Sequence, residues 1–367
     1  MSKITLCYFC DAPLTKSNSS SEHVILNSIG GRLESKNLLC RKCNSELGDK
    51  SDAELSNQLR FLSVYLDVKR DHGKSPALKG VKNKDGKEFH ITGGGKPAMS
   101  KPEYEEIREG NEVRIHASAR NEKELLTILG KAKKKYPDLD LSNIRDKFQV
   151  KEEPVNEVLR ISTTLGGELA FISILKTGVN FYLLKQYPKE EITLAIDQLK
   201  GLNTESLVGH YYPKKSIYRK APNEVIHLIH LVGNKYNGVI YAYIEFFSSY
   251  SFLVVLSNQY KGKKFTETYA YDVVNHKEVR KKVNLNLTME EIQEIFNSTN
   301  PPSLLSGKVK RVMKIATKLN RDKEFSHAFK SIINEIVKNS KSDVWTKEMI
   351  SELSDRVARE YVRIHFR

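Results

Sequence analysis

The sequence has only four cysteines, one tryptophan and no long uncharged apolar run among its 367 residues. Its 39% hydrophobic and 29% charged residues can build a globular core, which excludes a collagen, a coiled-coil rod and a wholly disordered chain. The best candidate for a membrane span, Gly238 to Ser257, contains Glu245 and four serines in near alternation with apolar residues. This pattern favours two buried strands. Residues 1–7 lack the apolar segment of a secretory signal, so we predict a cytoplasmic protein without a membrane partner.

The sequence also has fewer acidic than basic residues. The chain has 45 Asp and Glu against 60 Lys and Arg, which gives a formal charge of +15. Such a surplus favours a polyanionic partner, either nucleic acid or an anionic membrane face. Residues 301–367 hold 15 basic and eight acidic residues, and we expect this region to bind phosphates or to dock another subunit.

All four cysteines lie within the first 43 residues, as two C-x2-C pairs: Cys7 and Cys10, then Cys40 and Cys43. A disulfide framework would be unusual in a chain without an export signal, whereas four paired thiolates suit tetrahedral zinc. Four unrelated buried cysteines are the alternative, but their clustering disfavours it. We predict a structural zinc ion, because four protein ligands leave no open position for chemistry.

The segment between and after the cysteine pairs contains polar and glycine residues in a distinctive order. They are Glu22-His23, Gly30-Gly31, Asn37 and, directly after Cys43, Asn44. Together with the cysteines, these residues resemble the zinc-knuckle branch of the HNH endonucleases. The resemblance covers about residues 7–60, roughly a sixth of the chain.

The resemblance implies a ββα-metal module, a two-stranded ribbon and a helix that hold one catalytic divalent cation. It implies that His23 is the general base and that Asn37 holds the loop and the histidine in place. Asn44 and Glu22 would be the ligands of that cation, Mg²⁺ or Mn²⁺. Amide and carboxylate oxygens are hard ligands that suit these ions. An imidazole exchanges its proton close to neutral pH, as a general base must.

Simpler interpretations exist for the same residues. The sequence has Glu22 where Asp is common in the wider superfamily, and Leu26 where proline often occurs. Adjacent strand residues face opposite ways, so Glu22 and His23 can share a site only where a strand ends or bulges. Taken alone, His23 could be a capping or core histidine, and Asn37 a turn residue. We expect Asp52 to lie on a solvated helix face. The helix that follows Asn44 has an apolar stripe at helical spacing, which we expect to be core: Leu47, Leu55, Leu59 and Leu62.

The remaining chain predicts an α+β fold, with a mixed helix and antiparallel-sheet region after the module and a helical C-terminus. Four parts are expected: an HNH module at 1–62, a basic Gly- and Lys-rich segment at 63–150, a helix plus antiparallel meander at 151–285, and basic helices at 286–367. The meander is expected from Val225 to Val273. In the last part, separate helices are expected at Ser303 to Leu319 and Glu324 to Lys338.

These features predict a metal-dependent endonuclease that hydrolyses DNA. The larger part would recognise substrate, form a homo-oligomer, or restrain the nuclease through a regulatory partner. Longer bacterial HNH proteins look similar in arrangement, which suggests antiviral defence or a mobile element. Two alternatives remain: a zinc-dependent nucleic-acid-binding module without catalysis, and an HNH-type ribonuclease acting on RNA.

Overall fold

The structure, a computed structural model, describes residues 5–366 except 74, 111, 143–157, 299–301 and 341–343. The described residues form helices and antiparallel sheets, which confirms the predicted α+β class. The chain divides into two compact units, one of Met1–Ser75 with Thr164–Arg367 and one of Pro76–Thr163. The expected boundary between residues 150 and 151 lies outside the described residues, and the four-part division stays a prediction.

The N-terminal module is a short β-ribbon followed by helices. Its elements are β1 (Glu22–His23), β2 (Glu34–Ser35), α1 (Arg41–Leu47), a π-helical turn (Gly48–Asp52) and α2 (Ala53–Tyr65). β1 and β2 pair antiparallel. The predicted apolar stripe is buried as expected, at Leu47, Leu55, Leu59 and Leu62.

The Gly-Gly pair closes the loop between the two ribbon strands. Gly30 has a φ of +94°, in the left-handed region that favours glycine. A Cβ on Gly31 would lie only 1.8 Å from the carbonyl oxygen of Ile25. Position 30 therefore requires glycine because of its left-handed backbone, and position 31 requires glycine because the Ile25 backbone lies so close.

The unit Pro76–Thr163 contains two small sheets and one helix. Its elements are β3 (Leu78–Lys82), β4 (Glu88–Thr92), β5 (Lys96–Met99), β6 (Glu103–Glu109), β7 (Glu112–Ser118) and α3 (Glu122–Lys135). Strands β3, β4 and β5 form one antiparallel sheet, and β6 and β7 form a hairpin. Glu106 of the hairpin accepts hydrogen bonds from Lys135 and Tyr136, which tie α3 to it.

The other unit is built around a six-stranded sheet of order β13-β12-β9-β10-β11-β8. Its strands are β8 (Val208–His210), β9 (Ile226–Asn234), β10 (Val239–Phe246), β11 (Tyr250–Ser257), β12 (Phe265–Asp272) and β13 (Lys277–Glu278). Strands β9 to β11 form the expected meander. β12 pairs with β9 instead of continuing it, because the free edge of β11 pairs with β8. Every residue of the three central strands is buried, so both faces of the sheet are covered.

Helix α4 (Glu168–Leu184) packs on both the sheet and the N-terminal module, and α5 (Thr193–Leu199) follows it. Gly178 faces the sheet, where an added Cβ would lie 3.3 Å from Val254. Ser173, Lys176 and Asn180 follow one another at three- and four-residue spacing, which places them on one face of the helix. That face meets the module.

Three helices complete the unit: α6 (Met289–Asn297), α7 (Pro302–Asn339) and α8 (Lys347–His365). The expectation of two helices within 303–338 is wrong, because α7 is one helix of 38 residues. Residues 320–323, where a break was expected, contain no proline or glycine. Glu335 pairs with Arg356 and Glu324 with Arg363, so α7 and α8 run antiparallel. No described helix is long and apolar enough to cross a membrane.

Candidate functional site

The four cysteines converge at one point of the module. Their sulfur atoms all lie within 4.8 Å of one another, and Cys10 Sγ is 3.8 Å from Cys40 Sγ. A tetrahedral zinc ion with Zn–S bonds of about 2.3 Å separates its sulfur ligands by about 3.8 Å. The cysteines are not joined as disulfides. The cluster therefore has the donor set and spacing of a structural zinc knuckle.

The local backbone conformation of each cysteine pair orients its two sulfur atoms towards a common point. In the first knuckle the N–H of Asp11 donates to the carbonyl of Cys7, and Asp11 has a φ of +59°. In the second, Cys40 immediately precedes α1 and its carbonyl accepts from the N–H of Asn44. The N–H of Cys43 lowers the pKa of the Cys40 thiol, which favours a thiolate there. The second knuckle thus also fixes the start of the helix that carries Asn44.

A cavity of about 390 Å³ lies beside α1 and the β-ribbon, and Glu22, His23 and Asn44 all line it. Side chains of adjacent residues within a strand point to opposite faces. Because β1 ends at His23, this alternation stops there, and the side chains of Glu22 and His23 can both line the cavity. The other lining residues come from the position before β1, the ribbon loop, α1, the π-helical turn and α2. They are Ser21, Leu26, Asn27, Ser28, Ser45, Gly48, Asp49, Asp52, Ala53 and Ser56.

Asn37, the fourth residue singled out in the sequence, lies elsewhere. It is exposed and does not line the cavity, and its backbone N–H donates to Ser35 Oγ at 3.1 Å. Asn27 lies nearer the histidine, with Nδ2 3.5 Å from His23 Nε2. The structure thus brings together three of the four predicted residues and adds an asparagine from the ribbon loop.

A carboxylate that was not among the predicted site residues holds the imidazole of His23. Asp71 Oδ2 lies 3.0 Å from His23 Nε2, and Glu34 Oε2 lies 3.6 Å from the same nitrogen. Asp71 is itself fixed by Arg32 and by its backbone N–H, which donates to Asn27 Oδ1 at 3.2 Å. Asp71 follows α2 in irregular chain, so no periodic pattern pointed to it.

Two carboxylates that line the cavity contact a buried cation supplied by α4. Lys176 Nζ lies 2.8 Å from Glu22 Oε1 and 2.6 Å from Asp52 Oδ2, and the lysine side chain is 1% exposed. Asn180 Nδ2 donates to Glu22 Oε1 at 2.9 Å, and Ser173 Oγ donates to Asp52 Oδ1 at 2.6 Å. The expectation of a solvated Asp52 is therefore wrong: its side chain is 19% exposed and turned towards α4.

The protonation states of Lys176 and Glu22 depend on their mutual contact and on Asp52. Burial has the largest effect on Lys176 and lowers its pKa, but the attraction of Glu22 and Asp52 outweighs burial and leaves the pKa raised. Burial also raises the pKa of Glu22, and the nearby ammonium opposes that change only in part. Two carboxylates at hydrogen-bond distance keep the lysine charged, so Glu22 and Asp52 share a buried counter-ion.

The remaining groups suit a hard divalent cation. Asn44 is oriented by its Nδ2, which donates to Ser20 Oγ at 2.8 Å. Asn180 and Lys176 both contact Oε1 of Glu22, and Glu22 itself lines the cavity. With Asp49 on the same wall, the cavity offers amide and carboxylate oxygens, the ligands that Mg²⁺ and Mn²⁺ prefer.

Comparison with known families agrees with this geometry. Residues 7–60 match the family described as HNH endonuclease, which confirms the resemblance seen in the sequence. The match spans the cysteine cluster, the β-ribbon, α1 and much of α2. Neither the curated proteins nor the solved structures contain a significant match to this chain.

Proposed function

We propose that the protein is a metal-dependent endonuclease that hydrolyses phosphodiester bonds of DNA, with its N-terminal module as the catalytic part. One observation carries the proposal: Glu22, His23 and Asn44 line a single cavity within the segment that matches the HNH endonuclease family. The four-cysteine cluster would bind structural zinc and hold the start of α1, from which Asn44 projects.

His23 would take the proton from the attacking water. Asp71 restricts the orientation of the imidazole, as the third member of a nucleophile–base–carboxylate arrangement does. Asn27 in turn holds Asp71, because its Nδ2 donates to the Asp71 carboxylate and its Oδ1 accepts from the Asp71 backbone N–H. A carboxylate at 3.0 Å also stabilises the imidazolium that forms once the proton has been transferred. Asp71 therefore both orients the imidazole of His23 and stabilises its charged form.

Glu22 and Asn44 would hold the catalytic Mg²⁺ or Mn²⁺, with Asp49 available on the same wall. Such an ion, when bound, offsets the negative charge that develops on the phosphate and the leaving oxygen. Lys176 keeps the Glu22 carboxylate in a fixed direction and limits repulsion between Glu22 and Asp52. Asn44 is already oriented by Ser20, so little rearrangement is needed on binding.

The charge of +15 supports a polyanionic substrate. DNA is the substrate we propose, and RNA is the second candidate because the same chemistry acts on both. A cytoplasmic location, a homo-oligomer or regulatory partner, and a role in antiviral defence or a mobile element stay expectations from the sequence.

Cleavage of supercoiled plasmid by the full chain, zinc-loaded and supplied with Mg²⁺ or Mn²⁺, tests the proposal. His23→Ala should abolish nicking, whereas His116→Ala, at an exposed strand position of the other unit, should not. Binding without cleavage by the wild type would favour the non-catalytic binding module. Preferential cleavage of an RNA of equal length would favour the ribonuclease. Equal cleavage by wild type and His23→Ala would refute the assigned base.

A further inference from the structure

The chain that leaves α2, residues 67–71, lies against the loop of the β-ribbon and the turn that follows β12. In the ribbon loop, Arg32 Nη2 donates to the carbonyl of Lys69 at 2.9 Å. A Cβ on Gly30 would lie 3.9 Å from that carbonyl oxygen and 3.6 Å from Cγ1 of Val273, which directly follows β12. Three segments that are far apart in the sequence therefore border one small area of the surface.

This area is rich in basic side chains. Arg32 and Lys69 come from the ribbon loop and from the end of α2, and His276 lies exposed in the turn between β12 and β13. Helix α7 adds Lys323, whose Nζ lies 3.2 Å from Asp67 Oδ2. Lys69 is exposed and forms no ion pair with any residue that the structure describes. We call Arg32, Lys69 and His276 the Lys69 cluster.

The titration of His276 reflects the positive charge of its surroundings. Burial has the largest effect and lowers the pKa of His276. The charges of Lys69, Arg32 and Lys323 lower this pKa further, and the carboxylate of Asp272 opposes them only in part. Asp272 itself accepts hydrogen bonds from two residues of its own turn. The area therefore attracts a negatively charged ligand.

One carboxylate connects the Lys69 cluster with the candidate catalytic base. Arg32 pairs with Oδ1 of Asp71, and His23 Nε2 lies 3.0 Å from Oδ2 of the same side chain. The guanidinium and the imidazole are thus neighbours on the two oxygens of one carboxylate. A nucleic-acid strand advances only about 3.4 Å along the helix axis per nucleotide. A strand with one phosphate at His23 therefore has its next phosphates near Arg32 and Lys69.

We propose that the Lys69 cluster binds a backbone phosphate of the DNA strand beside the phosphate that is attacked at His23. This inference rests on the proposed function and adds residues beyond the segment 7–60 that matches the nuclease family. Lys69 offers an ammonium, Arg32 a guanidinium, and the ring of His276 an N–H donor. Such contacts fix the position of a strand without reading its sequence.

Binding of a 30-base-pair DNA by the full, zinc-loaded chain tests the cluster without added divalent metal, so that cleavage plays no part. Lys69→Gln and Lys69→Glu are compared with Lys261→Gln and Lys261→Glu. Lys261 lies at an exposed loop position of the same unit, so each pair changes the charge equally. Affinity is measured by fluorescence anisotropy over a salt series, after melting curves and zinc content have shown that the variants are folded.

Lys69→Gln should lose affinity by about 5-fold to 10-fold at ~100 mM salt, and its plot of log affinity against log salt should become less steep by about 1 unit. Lys69→Glu should lose more, because it replaces attraction of the phosphate by repulsion. Both Lys261 variants should stay within about twofold of the wild type. Equal losses at the two positions, or no loss at Lys69, would overturn the proposal.

The protonation of His276 reports where the phosphate lies. Its ring signal can be followed by NMR in histidine-labelled protein and identified by its loss in His276→Asn. Saturation with the DNA duplex should raise the pKa of His276, because a bound phosphate offsets the neighbouring cations. A pKa that stays the same in the saturated complex would mean that the phosphate lies elsewhere and would contradict the proposal.

Cleavage kinetics separate this inference from the proposed function. With Mg²⁺ or Mn²⁺, Lys69→Gln should raise KM and leave kcat nearly unchanged, since it removes a binding contact. A fall in kcat at constant KM would refute the binding role. If the wild type cleaves DNA and Lys69→Gln matches it in every measurement, the cluster fails while the proposed function stands. If duplex binding depends on Lys69 but the wild type never cleaves, the proposed function fails while the phosphate contact stands. A greater effect of Lys69→Gln on duplex RNA than on DNA would overturn DNA as the ligand.

Discussion

The ring of His227, near the start of the buried strand β9, donates from Nε2 to the carbonyl oxygen of Ile29 at 2.8 Å. Its Nδ1 accepts from the N–H of Phe247 at 3.3 Å. One neutral tautomer therefore satisfies both nitrogens and joins β9 to the loop of the β-ribbon. The nuclease-like module is thus built into the same core as the sheet.

This contact predicts a loss of stability in mild acid. Burial lowers the pKa of His227 to about 4, and that of His230 likewise. Between pH 6.5 and about 4 the unfolded chain therefore binds more protons than the folded chain, so the free energy of unfolding falls as the pH falls. Each histidine accounts for up to ~3 kcal/mol. Thermal unfolding at pH 7 and pH 4.5 measures the effect.

A matched pair of variants separates these histidines from other groups that titrate in acid. His227→Asn should lower stability at pH 7 but show a smaller decrease between pH 7 and pH 4.5 than the wild type. His116→Asn, at an exposed position, should keep the wild-type decrease. An unchanged pH dependence in His227→Asn would contradict the neutral, buried state of this ring.

The buried ammonium of Lys176 should contribute strongly to stability. Lys176→Met leaves the carboxylates of Glu22 and Asp52 close together without a cation, which costs about 3–5 kcal/mol. The double variant Lys176→Met with Glu22→Gln should recover part of that loss, since it removes one uncompensated charge. Chemical unfolding of the two single variants and the double variant measures the coupling.

Lys42 provides the control for this cluster. It forms a helix-surface pair with Glu46 at 3.9 Å and its side chain is 82% exposed. Lys42→Met should change stability little, because solvent screens such a pair. Similar effects of Lys42→Met and Lys176→Met would mean that the Lys176 cluster is hydrated and unimportant for folding.

Zinc removal should unfold the module before the rest of its unit. Binding energy at a four-cysteine site is folding energy, and the ribbon strands are only two residues long. Chelation, or Cys40→Ser, should expose residues 7–60 to limited proteolysis and lower the melting temperature. Mass spectrometry of the fragments identifies the released segment. An unchanged digestion pattern in fully zinc-free protein would refute the structural role of the metal.

Asp71 should influence cleavage through His23. Asp71→Asn keeps the shape of the side chain but removes the charge that stabilises the imidazolium. We expect a loss in kcat on the order of 10-fold to 100-fold, within the range that general base catalysis contributes. A shift in the pH profile of kcat should accompany the loss. Asp67→Asn, which removes a carboxylate from the same segment, should retain activity and the wild-type profile.

Several features of the site follow from local sequence. The C-x2-C spacing predicts a metal knuckle because two residues suffice for a turn that aims both sulfurs at one ion, and the four sulfurs do converge. The Gly-Gly pair predicts a tight loop, and both glycines are sterically required. Asn44 directly follows a cysteine of the knuckle, so its position is fixed within one helical turn. These predictions succeed because the interacting groups are close in the sequence.

The sequence by itself thus determined the zinc knuckle, the position of His23 and the apolar stripe of the helix that supports them. Only the tertiary structure decided that Lys176 neutralises Glu22 and Asp52, and that Asp71 holds the imidazole. It also decided that α7 is continuous and that β12 pairs with β9. The physical reason is that burial and ion pairing depend on which distant segments pack together. Neither the spacing of apolar residues nor any short motif encodes that choice.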